Sequence, residues 1–222
     1  MDITWLGRRC FGIRSRDAVV VTDPHAEAIS RLPKEQILKA ITISRSDLAT
    51  DLPERDRESG YPRIIKGPGE YEVADILITG VATLLESQNE QGQTDRGKNT
   101  IYAIELEGLV TCHLGELQRP LTSEQTEEMS AVSVLLVPVG DPQSFQASMD
   151  TISLLEPKLV IPMGYQTDAA ESDTSRGEVS SQALNRFLKE MGVKEVEPQR
   201  RLRVTTSTLP QQTQVAVLEI QG

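Results

Sequence analysis

Two short, unbroken apolar runs, Val134–Val139 and Leu159–Met163, flank a stretch where Phe145, Met149 and Ile152 recur at helical spacing. This feature constrains the fold most. A run without polar alternation suits a strand covered on both faces. Strand, helix and strand in that order make a βαβ unit, so part of the sheet is parallel.

The first half reads differently. Ile3–Leu6, Cys10–Ile13 and Ala18–Thr22 are strand-like runs, with a turn at Ser15–Asp17 and a stop at Asp23-Pro24. Ile37 and Leu38 end a short helix or turn after Pro33, and Ala40–Ser44 is a buried strand. Further strands are expected over Pro62–Lys66, Tyr71–Val73 and Ile76–Leu84. Gln88–Lys98, rich in Gln, Gly and charge, reads as a mobile hairpin tip. Thr100–Leu106 and Leu109–Cys112 form a hairpin around Glu107-Gly108. Thr122 to Gln125 fits a capping box. Leu184, Phe187, Leu188 and Met191 mark one face of a helix closed by Gly192, and Leu202–Thr206 and Gln214–Ile220 return to strand. The polar stretches Arg45–Gly60 and Gln166–Ser180 are long connections, the kind that tend to carry function. With no internal repeat and no compositional break, residues 1–222 are expected to form one layered domain of two sheets with helices outside.

The chain has 222 residues, 23 basic and 33 acidic side chains, and a formal net charge of −10. That acidity argues against broad nucleic-acid binding, which needs a basic face to neutralise phosphates. No apolar run approaches the roughly 20 residues of a spanning helix, so no membrane partner is expected. Met1–Arg9 reads as a strand ending in arginines and not as a secretory signal. Cys10 and Cys112 form no CxxC pair, which suits a reducing cytoplasm. The basic run Arg200, Arg201 and Arg203 reads as a solvated strand edge that resists edge-to-edge pairing.

The inventory of catalytic motifs is thin. The sequence contains no G-x-S-x-G elbow, no P-loop and no G-x-G-x-x-G. It has two histidines, His25 and His113, where a catalytic zinc typically takes about three protein ligands.

Taken in order, the segments nonetheless resemble the metallo-β-lactamase-fold hydrolases, in the branch of Zn-dependent hydrolases of the β-lactamase fold. Ile3–Ile13 (ITWLGRRCFGI) is similar to that branch's ITWLGHSCFRI, and Val21–Pro24 to its strand-end Asp-Pro. Gly67–Val73 (GPGEYEV) matches a segment typical of the branch, and Thr111–Glu116 (TCHLGE) is similar to its CHLGD. Val134–Gly140 and Val160–Tyr165 resemble LLVPVGG and VIPMHY. The resemblance implies an α/β fold, an αββα four-layer sandwich of two mixed sheets flanked by helices.

It also implies a metal site, and there the chain departs. At the family's H-x-H-x-D-H ligands stand Arg45, Asp47, Ala49 and Thr50. The next His falls on or beside Leu85, the bridging Asp on Glu116, and the final His on Gly164. Arg8 replaces the His of LGHS, and His113 aligns with a family His that is not a ligand. Zinc takes thiolate, imidazole and carboxylate donors, whereas Arg is a fixed cation. Asp23, Asp47 and Glu116 keep carboxylates, enough for a weak hard-ion site but not for a binuclear zinc centre.

The expectation is therefore a protein without the family's cofactor or hydrolase activity. Its cleft, lined by Arg8, Asp23, Arg45, Asp47, Glu116 and Tyr165, would bind a small anion or serve a protein partner. Arg8 and Arg45 would supply the positive charge that metals once gave. Equally, Arg45 could pair internally with Asp47, Glu116 or Asp23 and close the site. His25 is expected as a capping or surface residue and His113 as a hydrogen-bonded, partly buried one. Tyr165 orients a ligand or packs. The alternative is a hydrolase with one weakly bound divalent metal on Asp23, Asp47 and Glu116, with His25 or His113. A nuclease-like RNA binder is a third reading that the charge disfavours. Oligomeric state is open, with a homo-oligomer through exposed strand edges as one outcome.

Overall fold

The computed structural model describes residues 1–30, 38–45, 52, 60–88, 94–129, 131–165 and 182–221. Strands β1 (Asp2–Gly7), β2 (Cys10–Arg14) and β3 (Val19–Thr22) form an antiparallel meander. Helix α1 (Ala26–Ser30) then leads to β4 (Leu38–Ile43), parallel to β3, and β5 (Arg63–Lys66) is parallel to β4. Leu38 thus opens a strand instead of ending a helix or turn, because its backbone pairs with Val19. The residues preceding it, 31–37, lie outside the described set.

The second sheet opens with β6 (Gly69–Val73), β7 (Ile76–Gln88), β8 (Thr94–Leu106) and β9 (Leu109–His113), each antiparallel to the last. Strands β7 and β8 stay in register from Leu77↔Glu105 to Gln88↔Thr94. Much of the polar stretch read as a hairpin tip is therefore strand. Continuous backbone pairing outweighs the weak β-propensity of Gln, Lys and Gly there, and only residues 89–93 lie outside the description.

A short helix α2 (Ser123–Glu127) carries the expected capping box, with Thr122 and Gln125 exchanging side-chain and backbone hydrogen bonds. The βαβ unit follows as β10 (Val134–Pro138), α3 (Pro142–Leu155) and β11 (Leu159–Met163), with β10 parallel to both β9 and β11. Asp141 caps α3 by accepting from Gln143 and Ser144 N–H groups, and Pro142 takes the first turn. Helix α4 (Gln182–Glu190) buries Leu184 and Phe187 and lays Arg186 on the Phe145 ring of α3 at 3.9 Å.

The chain ends by serving both sheets. Strand β12 (Leu202–Arg203) joins the edge of the first sheet beside β1, and β13 (Gln214–Val215) joins the second beside β11. Both are shorter than the sequence runs suggested; beyond Val215 only single bridges remain, Gln199↔Leu218 and Trp5↔Ile220. Arg201 and Arg203 both face Asp2, at 3.5 and 3.1 Å, so the basic run answers an acid on the neighbouring strand.

The strand orders are β12-β1-β2-β3-β4-β5 and β13-β11-β10-β9-β8-β7-β6. One apolar core fills the space between the sheets, from Ile3, Trp5, Phe11 and Ile13 to Ile101, Ile104, Leu136 and Ile161. A smaller cluster of Leu6, Cys10, Val19, Val21 and Ala28 packs α1 on the outer face of the first sheet. This is the αββα sandwich expected from the sequence. Tyr102 of β8 ties the two sheets together. Its hydroxyl donates to the Ile43 carbonyl at 2.9 Å and accepts from the Gly67 N–H at 3.0 Å. No described helix is long and apolar enough to cross a membrane.

Candidate functional site

The ends of β3, β4, β9 and β11 and the β1–β2 turn meet at one rim of the sandwich. The turn is Gly7-Arg8-Arg9, in which Arg8 has φ +52°. Hydrogen bonds from both sheets pin its backbone. The Arg8 carbonyl accepts from Trp5 Nε1 at 3.1 Å and from the Gly164 N–H at 3.0 Å. The Arg9 carbonyl accepts from His113 Nε2 at 2.8 Å and from the Thr22 hydroxyl at 3.2 Å.

With this backbone, the side chains of the two arginines have different fates. Arg8 is exposed and forms no ion pair among the described residues. Arg9 is three-quarters buried, and its Nη1 lies 3.3 Å from Glu116 Oε2. Arg45, just beyond β4, brings its own Nη1 to 2.5 Å from the same oxygen. One carboxylate oxygen thus bridges two guanidinium groups. Glu116 and Arg45 were both anticipated at the cleft, but Arg9 was not. The sequence signal was the Arg-Arg pair itself; which of the two turns inward depends on the left-handed backbone at Arg8, which no local pattern reveals.

Gly164 explains the room for Arg9. A Cβ placed on this residue would meet Arg9 Cγ at 3.9 Å, and its φ of +71° disfavours a side chain in any case. Arg9 therefore extends into the region that a side chain at position 164 would face.

Below the arginines lies a buried polar layer. Asp23, 7% exposed and at φ +39°, accepts the Ser44 backbone N–H at 2.6 Å through Oδ1, while Oδ2 is buried without a hydrogen bond among the described residues. His113 is fully buried, and burial holds its pKa below the usual value. The neutral ring donates from Nε2 to Arg9 O and takes the Ser44 hydroxyl on Nδ1 at 3.4 Å. Serine and histidine meet here, but not as a hydrolytic pair. Ser44 is 3% exposed, and Asp23 binds its backbone instead of orienting the imidazole. Asn99, fully buried on β8, organises the loop that carries Glu116. Its Nδ2 donates to Thr83 Oγ1 and to the Leu114 carbonyl, and its Oδ1 accepts the Glu116 N–H, all within 3.0 Å. Sequence reading did not single it out; the only signal was one Asn inside a β-rich run.

The remaining candidates are more peripheral. Tyr165 packs its ring on Trp5 at 4.9 Å and is 5% exposed, which raises its phenol pKa. Its hydroxyl makes no hydrogen bond among the described residues. His25 is half-buried beside Gly7, and its carbonyl accepts the Ala28 N–H at the start of α1. Asp47 lies outside the described residues, as do Ala49 and Thr50.

The donor set among the described residues does not fit a binuclear zinc centre. Among the described residues no three His, Cys, Asp or Glu side chains converge closely enough to hold a metal ion. Both ring nitrogens of His113 are engaged, Glu116 Oε2 is taken by guanidinium groups, and burial pushes the Cys112 thiol up to about 12.

His113 carries a pH prediction. Its pKa is lower folded than unfolded, so its contribution to stability is intact above about 6.5, the ordinary imidazole value, and is lost as pH falls through the folded value. The urea midpoint of the wild type should fall between pH 7 and pH 5 more steeply than that of His113→Gln. Equal slopes would mean that the imidazole is not buried neutral.

Comparison with known proteins fits this architecture. The family model of the beta-lactamase superfamily domain matches residues 2–164. A UPF0173 metal-dependent hydrolase of Archaeoglobus fulgidus is 24% identical over 195 residues, covering 75% of this chain and 84% of that protein. The crystal structure of a proposed Zn-dependent hydrolase of the metallo-β-lactamase superfamily from Thermotoga maritima superposes with a TM-score of 0.71 at 29% identity, covering 99% of each chain. A metallo hydrolase from Ignicoccus hospitalis shares the fold at a TM-score of 0.57 and 17% identity, over 90% of this chain and 97% of that one. With the family model spanning most of its length and the sandwich in place, the chain belongs to the beta-lactamase superfamily domain family and has the metallo-β-lactamase fold.

Proposed function

We propose that this chain uses the family's cleft to bind an oxyanion without metal-assisted hydrolysis. Arg45 does pair with Glu116, the arrangement that could close the site, but the observation that carries this reading is that Arg9 and Arg45 share that one carboxylate oxygen, two cations on one anion. Two fixed cations on one carboxylate oxygen place positive charge at the rim where the family resemblance puts its metals. A guanidinium group has no deprotonated form in proteins and donates in a planar fork that suits phosphate or carboxylate. It cannot lower the pKa of a bound water as a metal does, so these cations favour binding over turnover.

Protein purified without chelator should contain well below one equivalent of zinc, manganese or iron. Titration with inorganic phosphate at low ionic strength should give saturable heat that Arg45→Gln abolishes.

A second reading keeps metal-dependent hydrolysis, and two observations favour it. The Archaeoglobus and Thermotoga relatives bear hydrolase names, and Asp23 Oδ2 is a buried carboxylate oxygen without a hydrogen bond among the described residues. On that reading Asp23, Asp47 and Glu116, with His25 or His113, hold one metal. Stoichiometric metal, together with phosphodiesterase or lactonase turnover that chelator abolishes, would establish it in place of the first.

A further inference from the structure

We propose, building on the oxyanion reading, that Glu116 is a built-in competitor for the cleft and that the external ligand which displaces it belongs to the phosphate dianion class. Glu116 meets both guanidinium groups at the same oxygen, Oε2, at 3.3 Å and 2.5 Å. A single carboxylate oxygen cannot form the paired, parallel bonds of a bidentate fork with either arginine. A tetrahedral phosphate carries enough oxygens to offer a pair to each.

The Glu116 side chain can leave without disturbing the loop. Its backbone N–H is held separately by Asn99 Oδ1 at 2.9 Å, and its side chain is 23% exposed, so it already reaches solvent. The rest of the rim stays in place, because the turn carrying Arg9 is pinned through its carbonyls and not through the ion pair.

Charge sets the ligand class. Within this contact Arg9 and Arg45 bring two positive charges and Glu116 brings one carboxylate. That leaves a surplus of one while Glu116 is seated and of two once it swings out. A phosphate monoester carries about −1.5 to −2 at neutral pH and matches the second state. A monocarboxylate would replace one −1 charge by another and gain little.

The test is titration calorimetry on the full chain with inorganic phosphate, methyl phosphate and acetate, for wild type, Glu116→Gln, Glu116→Asp and Arg45→Gln, with circular dichroism to establish folding. Removing the competitor should tighten phosphate binding by about tenfold in Glu116→Gln, the equivalent of about 1.4 kcal/mol for one charge-assisted contact. Glu116→Asp withdraws the carboxylate by one methylene and should also tighten binding, which keeps the test alive if the amide variant does not fold. Acetate should bind at least tenfold more weakly than phosphate. Equal affinity for methyl phosphate would indicate a phosphorylated small molecule as the ligand, and preference for inorganic phosphate would indicate the free ion. If the wild type binds phosphate and Arg45→Gln does not, yet neither Glu116 variant tightens, the competitor role is overturned and the oxyanion reading survives. If neither the wild type nor the Glu116 variants bind phosphate, the oxyanion reading itself fails.

Discussion

Gly140→Ala should destabilise the fold by about 3 kcal/mol, the upper end of what overpacking ordinarily costs. A Cβ at this position would sit 2.0 Å from the Gly164 carbonyl oxygen and 3.0 Å from its carbonyl carbon. Backbone atoms cannot move aside as the tip of a long side chain can, so the ends of β10 and β11 would have to separate. The link from Val139 N–H to Met163 O, at 3.0 Å, lies directly in that path. The damage should spread to the rim, because the Gly164 N–H also holds the Arg8 carbonyl at 3.0 Å. Urea denaturation checks the first part and phosphate titration of the folded fraction the second. A variant within 0.5 kcal/mol of wild type would mean that this close approach relaxes freely.

Asn99→Ala should have an effect of similar size for a different reason. The substitution removes three hydrogen bonds at once and strands the Leu114 carbonyl and the Glu116 N–H at a position that is fully buried. Each net bond contributes about 0.5–1.5 kcal/mol and each stranded buried group costs about 1–3, so a loss of about 3 kcal/mol is expected. Asn99→Asp keeps the acceptor for Glu116 N–H but loses both donor bonds, and should fall between the two. If urea midpoints rank the aspartate variant below alanine, the buried charge, and not the lost donors, dominates the site. Because Asn99 sets the backbone of the Glu116 loop, its alanine variant should also weaken the linkage between Glu116 and the two arginines. Combined with Glu116→Gln, it should destabilise less than the sum of the single changes.

The order of the layers could be read from the chain because it is written in local periodicities. The apolar runs Val134–Val139 and Leu159–Met163 with helical spacing between them specified the parallel βαβ unit, and Thr122 with Gln125 specified a helix start. The length of β7 and β8 could not be read that way. Their outer pairs, such as Glu86↔Arg96 and Gln88↔Thr94, are polar, and backbone pairing rather than residue type makes them strand. The short β12 and β13 show the reverse: runs rich in β-formers stop pairing early, and sheet position rather than propensity sets their limits.

That the chain has only two histidines, and that arginines stand at the β1–β2 turn and just after β4, was determined by the amino-acid sequence alone, since residue type decides what a side chain can donate or ligate. Which arginine enters the cleft, that Glu116 shares one oxygen between Arg9 and Arg45, and that Asn99 holds the loop beneath were decided only by the tertiary structure. Those facts depend on a left-handed residue at Arg8 and on strands from two sheets ending at one rim. Such contacts join positions far apart in the chain, and their geometry exists only once both sheets have packed.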